Sequence, residues 1–331
     1  MLVSLSLVAA GCGGDADQTA AETERAAAVS DAGTSSEGAD AAVDSDRSDW
    51  PDKLVFGAVP SEESTSLEQS YEPIIAVLEE ELGLDIEFTQ ATDYAGIIES
   101  QIAGNVDLAQ YGPFSYAIAV ANGAEIRPAG AMIDEKGAEP GYVSYGITAG
   151  DNEAVASIED FAGKTVCFVD PASTSGFLYP SAGLIEAGID PDTDITPTFA
   201  GGHDASVISV ANGDCEVGFA FDAMVDSILV GDGTIEEGAV KTVWESEVIA
   251  GSPLAVRTSL PESLVAEIDR IIVELANEDY LLANGFCDES ADECKLTDEG
   301  AWGYAKVDDS FYDGVRAVCE ATKAESCEGI S

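Results

Sequence analysis

Positive charge is what this chain has least of: 13 Lys and Arg stand against 64 Asp and Glu, a formal net charge of −51. A field of that sign excludes a nucleic-acid groove and argues against an anionic membrane surface as partner. Histidine is scarcer still, with His203 alone. Among the seven cysteines no CxxC spacing occurs, so a zinc site lacks its usual donors. Also missing are a GxSxG elbow, an HExxH pair and a GxxxxGK[ST] loop, and the single histidine has no cysteine nucleophile beside it. Ser175 with His203 is the one conceivable hydrolase pair, but serine and threonine before a helix are far more often caps than nucleophiles.

What the chain does have is an unusual turn. Asp170-Pro171-Ala172-Ser173-Thr174-Ser175-Gly176 joins an apolar β-like run, Thr165 to Val169, to a helix beginning near Ser173. At a helix start the first backbone N–H groups have no intrahelical acceptor and the macrodipole is positive, so a tetrahedral oxyanion can bind there without lysine. The hydroxyls of Ser173, Thr174 and Ser175 add donors; the competing reading is simple capping. His203 lies in Phe199-Ala200-Gly201-Gly202-His203-Asp204-Ala205-Ser206, just before another amphipathic helix that Asp204 or Ser206 can cap. That is a second strand-to-helix turn, the place where ligands of α/β sheets collect, although a lone histidine is more often structural.

The segments VPSEE (59–63), ATDYAGIIE (91–99), DLAQYGP (107–113), DPASTSGFLYP (170–180) and GGHDASVISVANG (201–213) occur in this order. Together they closely resemble the phosphate/phosphite/phosphonate-binding proteins of bacterial ABC importers. The resemblance runs from Lys53 to about Arg257, and its specific part is the STSG and HDAS pair. It implies a two-lobed type II periplasmic-binding-protein fold, α/β, each lobe a mainly parallel sheet flanked by helices with the ligand between them. It implies a binding protein, not an enzyme, without cofactor, that closes on a phosphorus oxyanion and delivers it to permease subunits. A lipoprotein that senses the ligand and signals to a membrane receptor would use the same fold. By the same resemblance, Ser173, Thr174 and Ser175 coordinate the oxyanion, His203 faces it, and Tyr94 and Tyr142 reach across from lobe one. Each tyrosine can also be read as core or cleft-wall packing, but Tyr94 follows a polar turn, Ala91-Thr92-Asp93, at a helix start, which favours the binding role. Asp222, at the end of a strand, either accepts a proton from a monoprotonated ligand or caps a helix. Where some relatives place another acidic residue, this chain has Ser252.

The N-terminal run Met1 to Gly11 is apolar and ends in small residues before Cys12. It resembles a bacterial lipoprotein signal over 1–12, with Cys12 the acylated residue, though a basic start is missing. Residues 13–50, rich in Ala, Asp, Glu, Ser, Thr and Gly, read as a disordered acidic tether to an extracytoplasmic membrane anchor. Without Cys12 six cysteines remain, an even set that suits an oxidising compartment. Cys287 with Cys294, Cys319 with Cys327, and Cys167 with Cys215 are plausible partners.

The length exceeds one ordinary core and suggests two lobes. Apolar strands and helically spaced runs alternate: Lys53 to Pro60, a helix over Leu67 to Leu82 closing at Gly83, a strand over 84–88, a helix over Tyr94 to Ala103 and a strand over 106–111. Ser100 to Pro113 and Ser209 to Asp222 share a helix end, a Gly, an acidic residue and an apolar strand, as if two lobes followed one plan. Lobe one is expected over 53–147 plus 240–331 and lobe two over 148–239, with hinges near Tyr142 to Ile147 and Val240 to Val248. Pro261 to Ala283 reads as one helix, and the cysteine-bearing tail is expected on lobe one. The molecule is expected to act as a monomer.

An acidic protein that binds an anion repels it at long range, while salt screens distant carboxylates over a Debye length of roughly 8 Å at 0.15 M. The association rate for a phosphorus oxyanion should therefore rise with ionic strength in stopped-flow measurements. A rate that falls steeply with added salt would contradict this.

Overall fold

The computed structural model describes residues 47–330, apart from 63, 288–293, 295 and 298. Cys12, the signal over 1–12 and nearly all of the 13–50 tether lie outside the described residues. The chain runs β1 (Lys53–Ala58), α1 (Ser64–Leu82), β2 (Asp85–Thr89), α2 (Tyr94–Ile102), β3 (Leu108–Gln110), α3 (Pro113–Ala121), β4 (Ile126–Ile133), β5 (Gly141–Tyr142) and β6 (Ser144–Ala149). It continues through β7 (Thr165–Phe168), α4 (Tyr179–Glu186), β8 (Thr196–Phe199), α5 (His203–Asn212), β9 (Val217–Phe221), α6 (Leu229–Gly231), β10 (Val240–Glu245), β11 (Ile249–Ala250) and β12 (Pro253–Arg257). It ends with α7 (Glu262–Arg270), α8 (Glu278–Asn284), β13 (Gly303–Ala305) and α9 (Asp313–Thr322).

Period-two alternation in β1 sends Leu54, Phe56 and Ala58 to one face of the first sheet. There they meet Leu67, Tyr71, Ile74, Val77 and Leu78 of α1, which recur at helical spacing. Val55 points the other way, toward Ile97 and Ile98 of α2 and Tyr116 and Ala119 of α3. α1 stops where predicted because Gly83 takes a left-handed φ of 67°.

The strand orders are β13-β4-β12-β3-β1-β2 and β10-β6-β9-β7-β8. In β2-β1-β3-β12-β4 and β8-β7-β9-β6-β10 the two sheets follow one plan, and the internal likeness noted in the sequence maps onto β3 and β9. β1 pairs parallel with β2 and β3, and β7 with β8 and β9. The remaining ladders of these sheets are antiparallel, so each sheet is mixed, although β1, β2, β3 and β4 share one direction in the first sheet and β7, β8, β9 and β10 in the second. The reason is connectivity: β6 and β12 come from the segments that cross between lobes and enter each sheet against the direction of its parallel strands.

Residues 144–147 and 240–245, placed in lobe one or its hinges by sequence reading, belong to β6 and β10 of the second sheet. Tyr142, the first residue of one expected hinge, pairs with Ile249, one residue past the other, in a short ladder separate from both sheets. The single helix expected over Pro261 to Ala283 breaks at Ala276–Asn277, because the Asn277 side chain accepts the Tyr280 N–H and starts α8 anew. α9 also departs from expectation: Val315 and Cys319 pack with Phe114 of α3, and with Leu178 and Tyr179 of the second lobe. The tail therefore spans the lobes.

All three cysteine pairs expected from the sequence are bonded, with Cα separations of 5.8, 5.2 and 5.4 Å. Cys167–Cys215 ties β7 to the turn before β9 across 48 residues. Closing a loop of that length restricts the unfolded chain by about 4 kcal/mol. Replacing both cysteines by alanine should lower the unfolding free energy by that order in urea titration; a loss below about 1 kcal/mol would reject the estimate.

Candidate functional site

Each parallel strand feeds a helix whose N-terminus lies at the strand's carboxyl end, so α1, α2, α3, α5 and the turn before α4 all begin on the side where the lobes meet. Three hydrogen bonds from these helix starts cross between the lobes. The Phe114 N–H of α3 donates to Thr174 Oγ1 at 2.9 Å. Asp170 receives the Tyr94 N–H of α2 on its carboxylate, together with the Ala172 N–H. Ser61 accepts the His203 N–H of α5 on its carbonyl at 2.7 Å. Tyr94 and Tyr111 of lobe one also share a buried cluster with Val169 and Ala172 of lobe two. The lobes are closed on one another.

The chain after β7 enters a π-helical turn, Thr174–Leu178, in which the Tyr179 N–H reaches back to the Thr174 carbonyl before α4 continues. Ser173 is its cap: its Oγ accepts the Gly176 N–H at 3.0 Å. Gly176 is required there, since a Cβ would sit 2.3 Å from Val169 Cγ2 and 2.7 Å from Ser173 Oγ. Ser173, Thr174, Ser175 and His203 are 1–4% exposed. Ser144 Oγ donates to the Ser175 carbonyl at 2.6 Å, fixing the turn against β6. The Tyr142 hydroxyl lies close to the side chains of Ser175 and Thr174, and burial pushes its pKa well above the usual range.

His203 is held on both ring nitrogens. The Phe221 N–H of β9 donates to Nδ1 at 3.3 Å, and Nε2 lies 3.3 Å from Ser173 Oγ. An accepting Nδ1 leaves the proton on Nε2, so the ring donates to Ser173. Ser173 Oγ then receives two donors, from Gly176 and His203, and its own proton is turned to a different acceptor. Expected to face the ligand, His203 thus touches the turn through Ser173. Of the two residues suggested as caps for α5, Ser206 instead donates to the Phe219 carbonyl at 2.8 Å, and Gly202 stands at the cap.

Of the residues singled out in the sequence, the structure brings together Ser173, Thr174, Ser175, Tyr142 and His203. Tyr94 is buried at the start of α2, within the cluster that joins the lobes. Asp222 lies beyond them at the end of β9, its carboxylate accepting the N–H groups of Ala223 and Val143, and burial raises its pKa. With Tyr142 it lines a cavity of about 140 Å³ together with Asp134, Asp226 and Glu299. Burial raises Asp134 as well, with help from neighbouring Glu135. Sequence reasoning missed Glu299, Ser144 and the Phe114 N–H. The first comes from an irregular tail segment and the last is a backbone group, so neither leaves a side-chain pattern to read.

Among known proteins, the family described as "ABC transporter, phosphonate, periplasmic substrate-binding protein" matches residues 56–312. A phosphate-import protein, PhnD, of Mycolicibacterium smegmatis is 47% identical over 287 residues, 85% of this chain and 89% of that protein. A binding protein component of an ABC phosphonate transporter from Pseudomonas aeruginosa superposes with a TM-score of 0.69 at 24% identity, covering 82% of this chain and 86% of that one. PhnD1 from Prochlorococcus marinus, solved in complex with methylphosphonate, gives a TM-score of 0.69 at 17% identity, covering 83% and 99%.

Burial lowers the His203 pKa from 6.5 to about 3, so the ring is neutral at physiological pH and brings no charge to the site. A depressed folded-state value contributes stability that is complete above the unfolded value of 6.5 and is lost as pH falls from there toward 3. At about 1.4 kcal/mol per unit the full effect is on the order of 5 kcal/mol. The difference in unfolding free energy between wild type and His203→Gln, whose amide can keep both hydrogen bonds, should shrink by several kcal/mol between pH 6.5 and 4. A pH-independent difference would show that His203 is not buried neutral.

Proposed function

The chain belongs to the periplasmic phosphonate-binding family of ABC importers, which are substrate-binding proteins and not enzymes, and on that premise we propose that it captures a small phosphorus oxyanion between its lobes. Inorganic phosphate, phosphite or a short phosphonate is held and passed to the permease of its importer. The observation that carries this reading is the meeting of the Ser175, Thr174 and Tyr142 hydroxyls at the start of the helix that leads into α4. That start supplies N–H donors without intrahelical acceptors, and the N-terminus of α3 approaches it from the opposite lobe.

Several features favour a tetrahedral, partly protonated anion. The Ser173–Ser175 turn offers uncharged hydroxyl and backbone N–H groups, with no lysine or arginine among them, and the neutral His203 orders Ser173 instead of adding charge. Asp222 lines the same cavity as Tyr142 and is an acceptor suited to the hydroxyl of a monoprotonated ligand. The relative named for phosphate import supports inorganic phosphate as a ligand, and the modest cavity beside Tyr142 suits a short substituent. Cys12 would anchor the protein, as a monomer, to the outer face of the membrane by lipid, with residues 13–50 as the tether.

Charge-assisted hydrogen bonds contribute about 1.5–3 kcal/mol each, so a few of them give micromolar or tighter binding after the cost of closing the lobes. Isothermal titration with phosphate, phosphite and methylphosphonate should show such binding for at least one of them. Thr174→Ala and Tyr142→Phe should each weaken it by roughly tenfold or more. Wild-type protein that binds none of the three, or variants that bind as well as wild type, would overturn the assignment.

A further inference from the structure

Resting on the reading of the Ser173–Ser175 turn as an oxyanion site, we propose that Tyr111 is a further ligand-binding residue. Its hydroxyl donates to the bound oxyanion from lobe one, and the lobes therefore close at lower cost on a ligand than without one.

Tyr111 is 1% exposed, and its hydroxyl oxygen is a buried polar atom with no hydrogen-bond partner. Tyr116, Tyr304 and Tyr312, also buried, are each satisfied: they donate to Asp309 Oδ1 at 2.8 Å, to Gln110 Oε1 at 2.8 Å and to the Gly251 carbonyl at 3.2 Å. Packing alone gives no reason for a tyrosine at position 111. A phenylalanine would supply the same ring without burying a hydroxyl that has lost water and gained no bond in return. Burial drives the Tyr111 pKa far up, so the phenol keeps its proton and remains a donor.

The surroundings of Tyr111 point to the ligand as the missing acceptor. The residue directly follows β3, at the carboxyl end of the strand, and its N–H is tied to the Pro253 carbonyl at 3.0 Å. The next residue, Gly112, caps α3 and comes so near the donor turn that a Cβ on it would stand 3.0 Å from Thr174 Oγ1. Tyr111 itself packs in the cluster that contains Tyr94, at the start of α2, and Val169 and Ala172, on the way into the turn. It is thus set among the helix starts at which the proposed anion finds its other donors.

This placement couples binding to closure. Val169 and Ala172 belong to lobe two, so parting the lobes removes part of the cover over Tyr111. Closing without an anion buries the hydroxyl unpaired. Closing on an anion gives it a charged acceptor, and such a bond is stronger than one between neutral groups.

The test is Tyr111→Phe in the full chain, which removes the oxygen and leaves the ring. Isothermal titration with inorganic phosphate, phosphite and methylphosphonate should show affinity lowered by about tenfold or more for each probe that wild type binds, the scale of a lost hydrogen bond to a charged group. Thermal unfolding of the ligand-free variant should occur at the wild-type temperature or above it, because no bond within the protein is lost. Unchanged affinity, with Thr174→Ala still weakening binding, overturns the role of Tyr111 and leaves the oxyanion site intact. A variant that melts below wild type or fails to fold shows that the hydroxyl is needed within the protein itself, and overturns the proposal in the same way. Binding of none of the three probes by wild type overturns the oxyanion site, and the role of Tyr111 with it.

Discussion

Uncharged donors at the starts of helices are the constraint around which this molecule is arranged. A protein of net charge −51 cannot hold an anion by its overall field, so attraction must come from dipoles fixed at short range, where screening and low dielectric favour them. Helix N-termini provide such dipoles without mobile cationic side chains, and an α/β sheet of this topology puts them at one edge of each lobe. When the lobes close, N–H groups of α2, α3 and α5 find acceptors on the other lobe: a carboxylate, a hydroxyl and a carbonyl. The chemistry that stitches the lobes is the same chemistry that would hold an oxyanion.

His203 illustrates how a titratable residue can serve by not titrating. Fixed between the Phe221 N–H and Ser173 Oγ and pushed far down in pKa by burial, it behaves as a rigid neutral donor. Its effect passes through Ser173, whose hydroxyl proton it redirects, and thus through the geometry of the turn. The turn is braced from three further sides: by the Gly176 N–H, by Ser144 from the second sheet, and by Thr174 accepting from α3. Such over-determination suits a site whose specificity depends on the placement of hydroxyls.

The second lobe is stiffened where the turn is rooted. Cys167, two residues before Val169, is bonded to Cys215 near the start of β9, and β9 in turn delivers Phe221 and Asp222. The Cys319–Cys327 loop closes the end of α9, the helix that packs against both α3 and the start of α4. Opening of the lobes must therefore either carry α9 with one lobe or slide it across the other, so the tail takes part in the motion.

Much of this is legible in local patterns of the amino-acid sequence. Period-two and helical spacing place β1, α1, β2 and α2 within a few residues, Gly83 marks a helix end, and an even cysteine set is consistent with the three bonded pairs. The Ser-Thr-Ser-Gly turn and the lone histidine stand out, because residues next to each other in the chain are enough to make a helix start. Relations set by long-range packing were decided only by the tertiary structure. These include the antiparallel entry of β6 and β12, the break at Asn277, the docking of α9 on both lobes, the orientation of His203 toward Ser173, and the arrival of Glu299 beside Ser252. Each depends on which distant segments share a buried volume once the chain has folded, and no local propensity or spacing encodes that.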